Sequence, residues 1–228
     1  IPVHFAGKPC KIKEITSIAR KNNISVIEDC AHAIGAKVKN KHVGTFGKSG
    51  CFSFYPTKNF TTIEGGMVIT NSSNIANFIR SARNHGISKT LAARFSRGNP
   101  WDYDVENPGY NYRLDEIRAS LGISQMKRVK KMNLLRKKAA DYYTKKLGSV
   151  EGVIVPDKSI GTEHVYHLYV VRITRKYGIT RDMLFQKLLK AGIRSSVHYK
   201  PLHRFTVFKK RAKVIDSLSN SRDLYSQI

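Results

Sequence analysis

Acidic side chains are scarce in this sequence: 16 Asp and Glu stand against 41 Lys and Arg, a formal net charge of +25. A surplus of that sign predicts attraction to polyanions such as nucleic acid, anionic lipid or phosphate-bearing substrates. Zinc-finger spacing and RNP-like aromatic signatures are both missing, so no specific nucleic-acid partner is expected. Cysteine is scarce too. Cys10, Cys30 and Cys51 are odd in number, far apart and without a C-x-x-C pair, which argues against a disulfide framework and against a zinc site; buried thiols are expected. No apolar run approaches the roughly 18 residues that span a bilayer. The opening Ile1-Pro2-Val3-His4-Phe5 lacks the charged and apolar regions of a signal peptide, so the sequence reads as cytoplasmic with no membrane partner. Internal repeats and low-complexity segments are absent. An initiating Met and a closing pattern around Ser226-Gln227-Ile228 are lacking as well, as expected of a piece of something longer.

What is present suffices for a core: 228 residues, 41% of them hydrophobic, predict one or two domains. The basic residues are spread along the chain, with one dense run from Lys127 through Arg128, Lys130, Lys131, Arg136, Lys137 and Lys138. That run shares a helix with Ile123, Met126, Val129, Met132 and Leu135. It reads as the solvated face of an amphipathic helix rather than as a nucleic-acid surface.

Taken in order, Val3-His4-Phe5 ends a strand, the apolar spacing of Ile12, Ile15, Ile18 and Ala19 predicts a helix up to Asn22-Asn23, and 24–27 is a short apolar strand. Strand, helix, strand is a βαβ unit with a parallel pair, which sets the fold class as α/β. Ligands in such sheets sit beyond the carboxyl ends of the strands. There Asp29 either caps the next turn or binds a cationic group or a metal. A glycine-rich passage follows, with Lys39-Asn40-Lys41 at a hairpin turn. Next come a strand over 50–55, a loop carrying Lys58, and a strand over 67–70 after Gly65-Gly66. A loop lysine in so basic a chain is ordinarily solvated, and its position alone assigns it no chemistry. Ser72 or Ser73 caps a helix with Ile75, Phe78, Ile79 and Ala82 on one side, closed by Asn84-His85-Gly86. From 87 to 112 no period appears, yet Trp101, Tyr103, Tyr110 and Tyr112 argue for ordered contact with a partner or ligand. A helix over 115–146 connects a first domain, 1–125, to a smaller α+β domain, 126–228. The latter holds strands at 153–155, 165–173 and 193–199 and a helix over 181–191 between Thr180 and Gly192.

Several stretches carry a resemblance when read together: Val26-Ile27-Glu28-Asp29-Cys30-Ala31-His32-Ala33, Val43-Gly44-Thr45-Phe46-Gly47, Cys51-Phe52-Ser53-Phe54-Tyr55-Pro56-Thr57-Lys58-Asn59 and Glu64-Gly65-Gly66-Met67. With Arg83-Asn84-His85-Gly86, Gly109-Tyr110-Asn111-Tyr112-Arg113 and Val197-His198-Tyr199-Lys200-Pro201-Leu202-His203, they resemble the DegT/DnrJ/EryC1/StrS family of pyridoxal-phosphate-dependent sugar aminotransferases over nearly the whole chain. The resemblance implies a fold type I transferase: part of a large cofactor-binding domain with a mainly parallel sheet, and the smaller C-terminal domain. Lys58 matches the lysine that holds pyridoxal 5'-phosphate covalently and carries the proton. Asp29 matches the carboxylate on the pyridine nitrogen. His32 matches the residue beside the ring, Ser53 a cofactor contact, and Asn111 an asparagine reaching the neighbouring subunit's phosphate. Arg113, His198 and Tyr199 match substrate-side positions, Arg113 because a guanidinium suits phosphate.

The resemblance also implies glutamate as amino donor, a nucleotide-linked keto sugar as acceptor, and a homodimer with shared active sites. The diphosphate of such a substrate suits the basic surface. Family members carry further N-terminal strands and a phosphate-holding helix start, so these residues alone are expected to bind cofactor weakly and to expose apolar sheet surface. A truncated or repurposed non-catalytic paralogue that binds polyanions is the alternative from another class. A sugar dehydratase of the same family is disfavoured, because those relatives replace the lysine with histidine.

Overall fold

The structure, a computed structural model, describes residues 1–87, 101–158, 160–213 and 216–228. Its chain divides into two compact units, Ile1–Lys137 with Ile160–His167, and Lys138–Ser159 with Leu168–Ile228. In the first unit the helix α1 (Ile12–Lys21) buries Ile12 and Ala19 against Val26, while Ile18 stays exposed. The following strand, β1 (Ile27–Asp29), begins where the apolar run was expected to end, so that Asp29 is its last residue. Before α1 the expected strand is reduced to a single parallel bridge between Val3 and Asp29, because the chain turns into a 3-10 helix at Phe5–Gly7.

A hairpin of β2 (Lys37–Val38) and β3 (Lys41–His42) turns on Lys39 and Asn40, both at positive φ, as a two-residue turn of this hand requires. The sheet order is β1-β4-β5, with β4 (Ser49–Ser53) parallel to β1 and β5 (Gly66–Thr70) antiparallel to β4. Ile27, Met67 and Val68 on this sheet are exposed. Cys30, Ala33, Ala36, Val43 and Val165 form the core beside it, with Cys30 buried and Cys10 and Cys51 only half-buried. Glycine is required where β4 meets the loop after β3: a Cβ on Gly50 would lie 2.3 Å from the Gly44 Cα and 2.6 Å from its carbonyl oxygen. Both obstacles are backbone, so Gly50→Ala is expected to cost about 3 kcal/mol, read as a lower urea midpoint with an unchanged slope.

Helix α2 (Ser73–Ala82) is capped by Ser72, whose Oγ accepts from the Ile75 amide. The aperiodic stretch beyond it is not free-standing. Residues 105–112 run antiparallel to 82–87, held by Tyr110 N to Ala82 O (2.7 Å) and Tyr112 N to Arg83 O (2.9 Å). The rest of that expected loop, 88–100, lies outside the described residues.

The long helix α3 (Glu116–Leu147) starts at Asp115, whose carboxylate accepts from the Arg118 amide. It does not bury the expected apolar residues: Ile123, Met126, Met132 and Leu135 are exposed. The stripe turned inward is Gly122, Gln125, Val129, Asn133, Arg136 and Ala140, at three- and four-residue spacing. Small residues permit close approach there, and a Cβ on Gly122 would already lie 3.0 Å from the Thr62 methyl. The basic run is exposed as expected, with the correction that Arg136 faces inward.

In the second unit β6 (Val153–Ile154) pairs antiparallel with β8 (Arg172–Ile173). The expected strand at 165–173 is therefore split. Val165 donates to Gly7 O and stays with the first unit, where β7 (Thr162–Glu163) pairs with β2. Helix α4 (Arg181–Lys190) has Thr180 as its side-chain cap, and Gly192 follows it at φ 77°. The expected strand at 193–199 does not form, because no ladder partner is present among the described residues. Two further helices follow, α5 (Thr206–Arg211) and α6 (Ser219–Gln227); Arg172 holds α6 to β8 through Gln227 Oε1 at 2.8 and 3.0 Å.

Candidate functional site

The parallel strands β1 and β4 pair up to Asp29, the last residue of β1, opposite Cys51; β4 runs two residues further to Ser53, and the chemistry-bearing residues follow from these strands. Alternation along β1 sends Glu28 to one face and Asp29 to the other. Asp29 is half-buried. Its Oδ1 accepts from the Ala31 amide at 3.0 Å, so the turn-capping role is real and also fixes the carboxylate's orientation.

Lys58 is half-buried in the loop after β4, its amide donating to Tyr55 O at 3.0 Å. The loop is tied to itself: Thr62 N and Thr61 Oγ1 both donate to Phe54 O, and Phe54 and Phe60 pack edge to face at 4.6 Å. Burial lowers the Lys58 ammonium pKa below its ordinary value, and the negative charge of Asp29 acts on it in the opposite direction. The two side chains therefore sense each other, and no ion pair joins them among the described residues.

His32 lies three residues past β1. The Ala6 amide donates to its Nδ1 at 3.2 Å, so the proton of the neutral ring is on Nε2. Its ring stands 4.5 Å from that of His167 and 5.9 Å from that of Phe5. Ser53 closes β4, half-buried, with its Oγ accepting from Tyr55 N at 3.4 Å. These four residues, Asp29, His32, Ser53 and Lys58, all belong to the two strand ends.

The other expected residues belong to other segments than β1, β4 and the loops that follow them. Asn111 is exposed and bridges Asn84, and Arg113 donates to Asn84 Oδ1 at 3.4 Å. Tyr110 and Tyr112, on either side of Asn111, stack at 4.8 Å and are both exposed. His198 and Tyr199 belong to the second unit, where Ser196 Oγ and His198 Nδ1 lie 3.1 Å apart and burial raises the Tyr199 pKa.

Two features escaped sequence reasoning. The first is Glu28, wholly buried. Its Oε1 accepts from the Phe46 and Gly47 amides at 2.7 Å, and its Oε2 from the Gly44 amide at 2.8 Å and from His4 Nε2 at 3.0 Å. Since His4 Nδ1 accepts from the Cys10 amide, its ring proton is the one on Nε2. Cys30 completes a cluster whose ligand-type atoms lie within 4.8 Å of one another, but both Glu28 oxygens are already taken by four donors, which marks a structural anchor rather than a metal set. The second is a buried polar group around Asn59, the residue after Lys58. Neither has a local sequence signature beyond lying within the quoted motifs.

Comparison with known proteins gives this geometry a context. The profile of the DegT/DnrJ/EryC1/StrS aminotransferase family matches residues 1–228. An uncharacterized protein of Methanocaldococcus jannaschii is 42% identical over 211 residues, which cover 92% of this chain and 55% of that protein. The spore coat polysaccharide biosynthesis protein SpsC of Bacillus subtilis is 36% identical over 213 residues, covering 92% of this chain and 55% of its own. Among solved structures, Helicobacter pylori PseC, an aminotransferase involved in the biosynthesis of pseudoaminic acid, superposes with a TM-score of 0.89 at 28% identity, over 99% of this chain and 58% of that one. The chain thus spans about half the length of the curated relatives it matches.

Proposed function

The chain belongs to the DegT/DnrJ/EryC1/StrS aminotransferase family, a fold type I group that uses pyridoxal 5'-phosphate, and on that premise we propose that it serves amino transfer from glutamate to a keto group of a nucleotide-linked sugar. The observation that carries the reading is the Asp29–Lys58 relation across the ends of β1 and β4. When bound, pyridoxal 5'-phosphate supplies an aldehyde that takes up the amino group and a ring that accepts the electrons left on the substrate carbon.

The protein's own residues do the rest. Asp29, oriented by the Ala31 amide, would pair with the pyridine nitrogen and favour its protonated form. Lys58 Nζ would hold the cofactor and would carry the proton in the transfer; burial favours the neutral amine that this work needs. His32 offers its Nε2 proton as a donor beside the ring, and Ser53 offers a hydroxyl to the cofactor. Asn111, exposed between the stacked Tyr110 and Tyr112, is suited to reach the phosphate held by a second copy, in a homodimer whose sites are shared. Arg113, His198 and Tyr199 take the substrate side, and the +25 net charge favours its diphosphate. The helices give no membrane route, since among the described residues none is long and apolar enough to cross a bilayer.

The test is transfer of isotope. With pyridoxal 5'-phosphate and 15N-glutamate, a panel of nucleotide-linked keto sugars is expected to yield one 15N-amino sugar by mass spectrometry. Label retained in the donor for every acceptor, with 15N-glutamate and with each other 15N-amino acid in turn, would reject the reading, and label passing only from another amino acid would correct the donor alone.

A further inference from the structure

Asn59 is buried at 8% exposure, next in sequence to the amine, and both polar atoms of its side chain are hydrogen-bonded. Its Nδ2 donates to the Val165 carbonyl at 2.9 Å and to Asn133 Oδ1 at 3.0 Å. A backbone carbonyl only accepts, so the amide cannot be flipped, and the atom facing His167 Nδ1 at 3.3 Å is Oδ1. His167 therefore carries its proton on Nδ1 and donates. Asn133 is fixed in the same way, its Nδ2 donating to the Ile34 carbonyl at 3.0 Å and leaving Oδ1 for Asn59. Arg136, one helical turn on, donates to the carbonyls of Tyr166 (3.2 Å) and His167 (3.4 Å), which immobilises the segment that Asn59 grips. The chain of bonds ends at the ring of His167, 4.5 Å from the ring of His32. Two parts of the first unit distant in sequence thus meet at one amide beside Lys58, the long helix at Asn133 and the segment Val165–His167, and Asn133 ties in the turn at Ile34.

We propose that Asn59 is a positioning residue: through Asn133, Val165 and His167 it fixes the backbone of Lys58, so that the amine meets the cofactor in one orientation, with His32 held in register by the same bonds. The proposal rests on the reading of Lys58 as the cofactor lysine. A buried amide with all its partners satisfied is rigid, and releasing it takes one partner each from a carbonyl, an amide oxygen and an imidazole N–H. Small misplacements of a reacting group are costly, on the order of a hundredfold for 1 Å.

The experiment compares the full chain with Asn59→Ala, Asn133→Ala and His167→Asn, the last of which keeps a donor where Nδ1 stood. An Ile12→Val variant serves as a purely structural control, since Ile12 is buried in a separate cluster. Each is mixed with pyridoxal 5'-phosphate, and three quantities are read: the cofactor's Kd, its visible circular dichroism per unit absorbance, and the thermal midpoint of the cofactor-free protein. Asn59→Ala and Asn133→Ala are expected to weaken the cofactor about 10- to 100-fold and to lose most of the visible dichroism, with His167→Asn close to wild type. Dichroism and Kd unchanged in Asn59→Ala and Asn133→Ala, or changed no more than in the control at equal stability, would overturn the proposal. If Asn59→Ala fails to fold, Asn133→Ala decides. Borohydride trapping followed by peptide mapping separates the two levels. Label on the Lys58 peptide with unaltered dichroism sinks only the positioning role, whereas label on other peptides and not on that of Lys58 sinks the assignment of Lys58 and the proposal with it.

Discussion

Lys58→Ala is expected to lower the proposed amino transfer by at least about 10³-fold, the scale set by losing a proton carrier that is also the covalent anchor, while leaving the protein no less stable. The two outcomes have one cause. Burial lowers the Lys58 pKa, so the unfolded chain holds that proton more tightly than the folded one does. At neutral pH the charged ammonium therefore favours unfolding, and removing it removes that cost. The negative charge of Asp29 offsets the cost only in part, since the net shift is still downward. A thermal midpoint equal to or above wild type, together with lost transfer, is the pattern of a site bought at the expense of the fold. Lys58→Arg keeps the positive charge but no amine that loses its proton at working pH, and should be as inactive. Added methylamine should restore part of the Lys58→Ala rate by standing in for the missing group. Transfer within tenfold of wild type in either variant would remove Lys58 from the mechanism.

The parts of this molecule that were legible in the sequence are those set by neighbours along the chain. Ser72 and Thr180 cap their helices, and Lys39-Asn40 turns its hairpin, because each of these needs only residues a few positions away. Lys58 and Asp29 were not legible in that sense: one is a cation among 41 and the other a strand-end carboxylate, and only the order of motifs around them pointed to a site. The burial of α3 was misread because apolar spacing selects Ile123, Met126, Met132 and Leu135, whereas the helix packs its small and polar residues inward. Gly122 approaches Thr62, and Asn133 and Arg136 bond to carbonyls of segments far away in sequence. Periodicity measures hydrophobicity and is blind to a polar stripe whose partners come from elsewhere. The same blindness split the expected strand at 165–173, whose first residues are claimed by Gly7 and Asn59 before a ladder can form.

Glu28 is the other residue of this kind, and its replacement should have the largest effect on stability. Four donors converge on its carboxylate: the His4 ring and the amides of Gly44, Phe46 and Gly47. Burial alone would raise its pKa; the hydrogen bonds outweigh burial, that of His4 first, and hold the carboxyl below its ordinary 4.5. Glu28→Gln turns an amide N–H₂ toward one pair of those donors, so that N–H faces N–H in a site closed to water. A loss of about 3–5 kcal/mol follows, read as a lower urea midpoint. Because the loop it anchors carries Gly44, which lies against Gly50 of β4, the loss should spread to the strand that leads to Lys58. The sign with pH is determined. A carboxyl with a folded pKa below its unfolded value stabilises fully above the unfolded value, and that contribution is lost as pH falls through the folded one. Wild type should therefore lose stability on acidification below about pH 4.5, and Glu28→Gln should be less stable at neutral pH but flatter across that range, so that the two curves converge in acid. Parallel curves would show that the anchor does not hold its charge.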